Sequence, residues 1–113
     1  MAAVLMDLLN QISTLTEQLS TSVKMLRKTG QDYAEAQMKY RVALAQKIAE
    51  LEATGRPVTN LLYIAKGDKE VAKAKYEEIC KEAIYKANLE SINAIKVNIR
   101  ILDNQYQKEW SDD

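Results

Sequence analysis

Apolar residues recur at alternating steps of three and four through the first half of the chain. This spacing places them on one face of a helix, as a narrow apolar seam. The residues that follow it are Leu5, Leu8, Ile12, Leu15 and Leu19, and the same phase continues through Leu26, Tyr33, Tyr40, Leu44, Ile48 and Leu51. The segment Lys28-Thr29-Gly30 could end one helix, with Asp32 capping the next. Because the seam keeps its phase across Gly30, the pattern predicts one continuous first arm over residues 3–54.

The segment 55–68 contains the only proline and two of the three glycines of the chain. Pro57 cannot continue the helix of the first arm, so that helix must end before it. Thr59 or Asn60 can then cap a short helix, which Gly67 closes. The segment is therefore predicted to be a connector with a short helix of its own.

A second arm of helical periodicity follows the connector over residues 69–110, and Asp68 is a suitable N-cap for it. Phenylalanine is absent and good helix formers dominate, which favours helix over strand. The two arms have comparable lengths, which favours an antiparallel hairpin. We therefore predict an all-α fold for residues 1–113, a single domain built as a long antiparallel helical hairpin with a short connector helix.

The second arm carries apolar residues on two roughly opposite faces. One lane is Ile92, Ile95, Ile99, Leu102 and Tyr106, and the other is Tyr76, Ile79, Cys80, Ala83, Ala87, Ala94, Val97 and Ile101. A hairpin covers only one face of this arm, and monomers avoid exposing a large apolar patch. We therefore predict self-association that completes a helical bundle. The predicted oligomer interface comprises Ile92, Ile95, Val97, Ile99, Ile101, Leu102 and Tyr106.

The charge balance and the residue types argue against non-specific DNA or membrane binding and against most catalytic and metal sites. Sixteen basic residues balance sixteen acidic ones, which disfavours non-specific binding to DNA or to an anionic membrane. Histidine is absent, which removes the commonest general base and most zinc sites. We expect neither an enzyme nor a metal site nor a cofactor. Glu77, Glu78 and Glu82 are expected to be solvent-facing charges paired with neighbouring lysines.

Several features indicate a cytoplasmic protein without a membrane partner. No apolar run approaches the ~20 residues that a membrane span requires. The first residues lack the positively charged start and the cleavage site of a signal peptide. Cys80 is the only cysteine and cannot form an internal disulfide, which fits a reducing compartment.

The connector offers the best candidate binding site. Helix starts expose unpaired backbone amides, and basic residues gather near both predicted starts. The candidate anion-binding residues are Arg56, Thr59, Tyr63, Lys66, Lys69 and Lys73. An oligomer could bring several copies of this site together around a phosphate-bearing nucleotide signal. A capped turn explains the same residues without a ligand, because Asp68 competes for the amides of its own helix.

Two of the six tyrosines, Tyr63 and Tyr85, lie off the apolar lanes and are the freer candidates for stacking on bases. The others fall on the lanes and are predicted to pack in the core or at an interface.

Short segments scattered over most of residues 31–110 form a characteristic combination. They are Tyr33-Ala34-Glu35-Ala36, Tyr40-Arg41-Val42-Ala43-Leu44, Gly55-Arg56-Pro57-Val58-Thr59, Ala65-Lys66-Gly67, Val71-Ala72 and Glu109-Trp110. The combination resembles a group of small helical accessory proteins encoded by phages of Gram-positive bacteria, a group that carries no assigned activity. The resemblance implies a setting, the cytoplasm of an infected bacterium.

In that setting the leading hypothesis is a non-enzymatic helical oligomer that counters host defence, by sequestering a nucleotide signal or by occluding a host protein. One alternative is an accessory to phage recombination or replication, which would bind single-stranded DNA. A second alternative is a structural or assembly protein.

Overall fold

Three α-helices make up the part of the chain that the structure describes. The computed structural model describes residues 2–111, with the exception of the side chain of Val58. The helices are α1 (Ala2–Ala53), α2 (Val58–Lys66) and α3 (Lys69–Ser111), and the described residues contain no strand. Helices α1 and α3 form an antiparallel hairpin joined through α2. The predicted all-α hairpin with a short connector helix is therefore confirmed.

Helix α1 runs unbroken through Gly30, as the phase of its seam predicts. Its first half is rich in serine and threonine, which have only moderate helix propensity. Three threonine hydroxyl groups donate hydrogen bonds to the backbone carbonyl four residues earlier, at 2.8–3.1 Å. These bonds satisfy the hydroxyl groups within the helix itself.

Residues 29–85 form one compact unit, which contains all of α2. At its connector end, a small core is buried between the end of α1 and helix α2. Its residues are Leu51, Leu61 and Ala65, with Leu44, Ile48 and Ile64 packed against them. The antiparallel register of this unit is visible in two contacts. The rings of Tyr33 and Tyr85 lie 5.9 Å apart, and Lys47 Nζ lies 3.3 Å from Asp68 Oδ1.

Residues 2–28 and 86–111 form a second compact unit. Leu8 from α1 and Ile92 from α3 are buried in it. The Asn88 side chain donates a hydrogen bond to the backbone carbonyl of Ser22 at 3.0 Å, which ties the two helices together. The core of this unit is the single layer of side chains between two helices, so the outward face of each helix remains at the surface.

Candidate functional site

The connector begins where α1 ends at a left-handed glycine. Gly55 has φ +78°, and its N–H bonds to the carbonyl of Glu52 at 3.0 Å. A left-handed residue after a helix favours glycine, which has no Cβ to clash. Substitution of Gly55 would therefore strain the turn, although nothing lies within 4 Å of the position that a Cβ would occupy.

Helix α2 begins at Val58, two residues earlier than a cap at Thr59 would place it and three earlier than a cap at Asn60 would. Pro57 occupies its N-cap position with ψ 137°, and no described side chain caps the helix. The prediction that Thr59 or Asn60 caps this helix is therefore wrong, because both lie inside its first turn. The fixed φ of Pro57 suits the residue that precedes the first turn of a helix. The amide N–H of Asn60 donates a hydrogen bond to the Pro57 carbonyl at 3.3 Å.

The predicted closing of α2 and capping of α3 are both confirmed. The N–H of Gly67 bonds to the carbonyls of Tyr63 and Ile64 at 3.3 and 3.1 Å. Asp68 Oδ2 accepts hydrogen bonds from the N–H groups of Glu70 and Val71 at 3.1 and 3.2 Å. The first turn of α3 is thus held by a carboxylate of the chain itself.

The Asp68 carboxylate is also an ion-pair partner of α1, through Lys47. The backbone hydrogen bond from Val71 and the nearby Lys47 ammonium lower the pKa of Asp68 against an opposing effect of desolvation. The hydrogen bond to Asp68, assisted by Glu50, raises the pKa of Lys47. The ion pair between Asp68 and Lys47 involves no apolar residue, so the hydrophobic periodicity of the sequence did not predict it.

All six predicted anion-binding residues are exposed. Thr59, Tyr63 and Lys66 are four and three residues apart on α2, so they share one face of that helix. We call this face, together with the preceding Arg56, the connector surface. Tyr63 is 85% exposed, the highest value among the large exposed hydrophobic residues.

Lys69 and Lys73 lie on successive turns at the start of α3, where the Asp68 carboxylate already accepts hydrogen bonds from two backbone amides, those of Glu70 and Val71. The backbone of α3 therefore offers less to an external anion than the sequence suggests. The ligand site remains a prediction, and the connector surface is its best-placed part.

The predicted interface residues divide between two faces of α3. Ile92 is buried, and four others are half-buried on the face that packs towards α1. These four are Ile95, Ile99, Leu102 and Tyr106. Leu102, for example, lines the same surface groove as Leu8 of α1. These four side chains are half-buried because they pack within the hairpin, whereas Val97 and Ile101 lie on the opposite face of α3.

The second apolar lane of α3 is the outer stripe. It consists of Tyr76, Ile79, Cys80, Ala83, Ala87, Ala94, Val97 and Ile101. In the unit of residues 29–85, Tyr76 is 70% and Ile79 55% exposed. In the other unit, Val97 is 41% and Ile101 55% exposed. The three alanines are exposed as well, and Cys80 is half-buried. A hydrogen bond with the Cys80 thiol raises the pKa of Tyr76.

Two side chains differ from the sequence-based expectations. Tyr85 is half-buried beside the Tyr33 ring, and its Cε1 would lie 3.2 Å from a Cβ at residue 30, so it is not a free stacking surface. Glu78 is only 6% exposed and is not a solvent-facing charge. Its Oε1 does pair with a lysine, Lys75, at 3.5 Å.

The burial of Glu78 has a signal in the sequence. Residues 78, 85, 92, 99 and 106 are seven apart, so Glu78 is in phase with the apolar lane that faces α1. Position along the heptad, and not residue type, decides which side of α3 a residue occupies.

Other kinds of site are not found in the part of the chain that the structure describes. No three His, Cys, Asp or Glu side chains among residues 2–111 are grouped so that they could hold a metal ion. Across the same residues, no helix combines the length and the apolar character needed to cross a membrane. No family model, curated protein or solved structure matches this chain.

Proposed function

We propose that this chain is a non-enzymatic phage accessory protein that acts as a helical homo-oligomer and counters host defence in the cytoplasm of an infected bacterium. The observation that supports the homo-oligomer is the outer stripe of α3, and the phage setting rests on the resemblance of the short segments within residues 31–110. Its larger side chains, Tyr76, Ile79, Val97 and Ile101, are 41–70% exposed. Soluble monomers rarely expose contiguous apolar patches larger than a few hundred Å². Burial of this stripe in an oligomer accounts for its composition.

The oligomer would act by occluding a host protein. The connector surface suits this task, because its Tyr63 is exposed beside basic residues and the neighbouring Leu62 is exposed as well. Exposed aromatic and basic side chains are typical anchors of protein interfaces. Residues 53–67 contain Arg56 and Lys66 and no acidic residue, so an acidic surface is the complementary target.

Sequestration of a nucleotide signal is the second candidate. One observation favours it, namely that Tyr63 offers an open ring for a base within the same segment as Arg56 and Lys66. Against it, the Asp68 carboxylate already occupies two amides of the first turn of α3, which lowers what that turn can offer to a phosphate. Native mass spectrometry of protein purified from infected cells separates the two candidates, because a retained nucleotide adds its mass to the oligomer.

The function is tested by a variant that dissociates the oligomer without unfolding the hairpin. Ile101→Asp places a charge on the exposed face, so the hairpin should keep its helical circular dichroism while the oligomer dissociates. Gln107→Asp is the matched control, because it adds the same charge at an exposed position outside the outer stripe. The expected result is that the wild type and Gln107→Asp restore phage growth on defended bacteria and that Ile101→Asp does not.

A wild type that is monomeric at micromolar concentration would overturn the oligomer. An oligomer that fails to restore phage growth on defended bacteria would overturn the counter-defence role. Binding to single-stranded DNA with a steep salt dependence would instead support a role in recombination or replication. Incorporation into virions would support a structural role.

A further inference from the structure

We propose that the outer stripe of α3 binds the same stripe of a second copy of this chain, antiparallel, about a two-fold axis that passes between residues 88 and 89. This inference rests on the self-association in the proposed function and names its partner and register. The order of large, small and charged residues along α3 supports this pairing.

The outer stripe follows a heptad spacing at all of its residues except Ile79, which lies beside it. Helix α3 is continuous from Lys69 to Ser111, so steps of four and three keep successive residues on one face. From Tyr76 these steps lead through Cys80, Ala83 and Ala87, and from Ala94 they lead on to Val97 and Ile101. Glu90 occupies the one heptad position between Ala87 and Ala94. Seven residues of the outer stripe thus occupy core positions of a two-helix coiled coil, and Glu90 occupies the eighth.

The pattern reads nearly the same from both ends. Tyr76 and Ile101 lie equally far from the point between residues 88 and 89, and so do Ala83 and Ala94. An antiparallel second copy therefore places Tyr76 opposite Ile101 of the partner subunit and Ala83 opposite Ala94 of the partner subunit. Large side chains meet at the two ends, and small ones meet near the centre, where they let the helices approach closely. A two-fold interface must be self-complementary in this way.

Charge supports the same register. Glu90 is the one ionisable carboxylate within the stripe's heptad positions, and it lies next to the proposed axis. In the antiparallel arrangement Glu90 faces Ala87 of the partner subunit, with Lys86 of the partner subunit on the same flank. Two such Glu90–Lys86 pairs would flank the axis. A parallel arrangement would instead bring Glu90 against Glu90 of the partner subunit, and like charges at such a position oppose association.

Disulfide cross-linking tests this register directly, because the chain has one cysteine. Cys80 and Val97 also lie equally far from the proposed axis, so the variant Val97→Cys should place each new thiol opposite Cys80 of the partner subunit. A disulfide requires Cα atoms within about 7 Å. Within one chain, positions 80 and 97 are separated by ~25 Å along the helix, so only a link between copies can form. Val97 is exposed, and its replacement should leave the hairpin intact.

The matched control is Cys80→Ser combined with Val97→Cys. It retains a cysteine at position 97, and in the antiparallel register the two copies of that cysteine lie ~25 Å apart. We expect mild oxidation to convert Val97→Cys into a covalent dimer that a thiol reductant dissolves. The control and the wild type should not form the covalent dimer, and mass spectrometry of the linked peptides should show Cys80 joined to residue 97.

The outcomes separate this inference from the proposed function. Sedimentation that shows a non-covalent oligomer without the link between positions 80 and 97 would overturn the register and leave self-association standing. An equal yield of covalent dimer in the control would do the same, because it indicates parallel pairing. A monomer in every variant would overturn both proposals.

Discussion

Glu78 provides a sharp test of how the hairpin is held together. Its side chain is 8% exposed, and Lys75 Nζ lies 3.5 Å from its Oε1. Its second oxygen, Oε2, is buried and has no hydrogen-bond partner among the described residues. Glu78 occupies a heptad position that otherwise carries apolar side chains. We expect Glu78→Leu to make the protein more stable, although it removes an ion pair.

The magnitude follows from two opposing contributions. Leaving a buried polar atom unsatisfied costs about 1–3 kcal/mol, and the leucine removes this cost. The ion pair that is lost contributes about 0–1 kcal/mol, because the Lys75 side chain is 47% exposed and solvated. Leucine also has a volume similar to that of glutamate, so the site stays filled. The free energy of unfolding should rise by about 1–2 kcal/mol.

Urea unfolding at one fixed chain concentration measures this change, because the stability of an oligomer depends on concentration. The midpoint should rise while the slope stays constant. Glu77→Leu is the matched control, since Glu77 is the exposed neighbour and its replacement should change stability by less than about 0.5 kcal/mol. Lys75→Met should lower the urea midpoint, because it leaves the buried Glu78 carboxylate without its cation. A lower midpoint for Glu78→Leu than for the wild type would refute this account of the carboxylate.

The helices and their order could be predicted from the sequence because each depends on local patterns. The seam of α1 keeps its phase through Gly30, and Pro57 prevents the helix from continuing. The cap at Asp68 also follows from local chemistry. These features act over a few residues, so the sequence contains all that determines them.

The side-chain contacts between the helices could not be predicted in the same way. Burial of Glu78 depends on its heptad phase, which a pattern based on residue type ignores. The pairing of Tyr85 with Tyr33 and of Lys47 with Asp68 depends on the register of the hairpin. The register of α1 against α3 depends on the distance that the connector spans, and residue types alone do not give that distance. The same limit applies to the connector surface, where the sequence identifies exposed residues and leaves their ligand to experiment.

Two further predictions concern Asp68 and Gly30. The lowered pKa of Asp68 means that its carboxylate stabilises the fold above the ordinary aspartate pKa of about 3.9 and loses this effect as the pH falls through the lowered value. Asp68→Asn keeps a capping oxygen and loses the ion pair with Lys47. At pH 7 the urea midpoint should therefore be highest for the wild type, lower for Asp68→Asn and lowest for Asp68→Ala. The difference between the wild type and Asp68→Asn should vanish in acid. An unchanged ranking at low pH would contradict the linkage.

Gly30→Ala should gain about 1 kcal/mol of helix propensity. The new Cβ, however, would lie 3.2 Å from Cε1 of Tyr85, which must move to admit it. The full gain should therefore appear only in a Tyr85→Ala background, as measured by a double-mutant cycle. Equal gains in both backgrounds would show that the Tyr85 ring does not pack against residue 30.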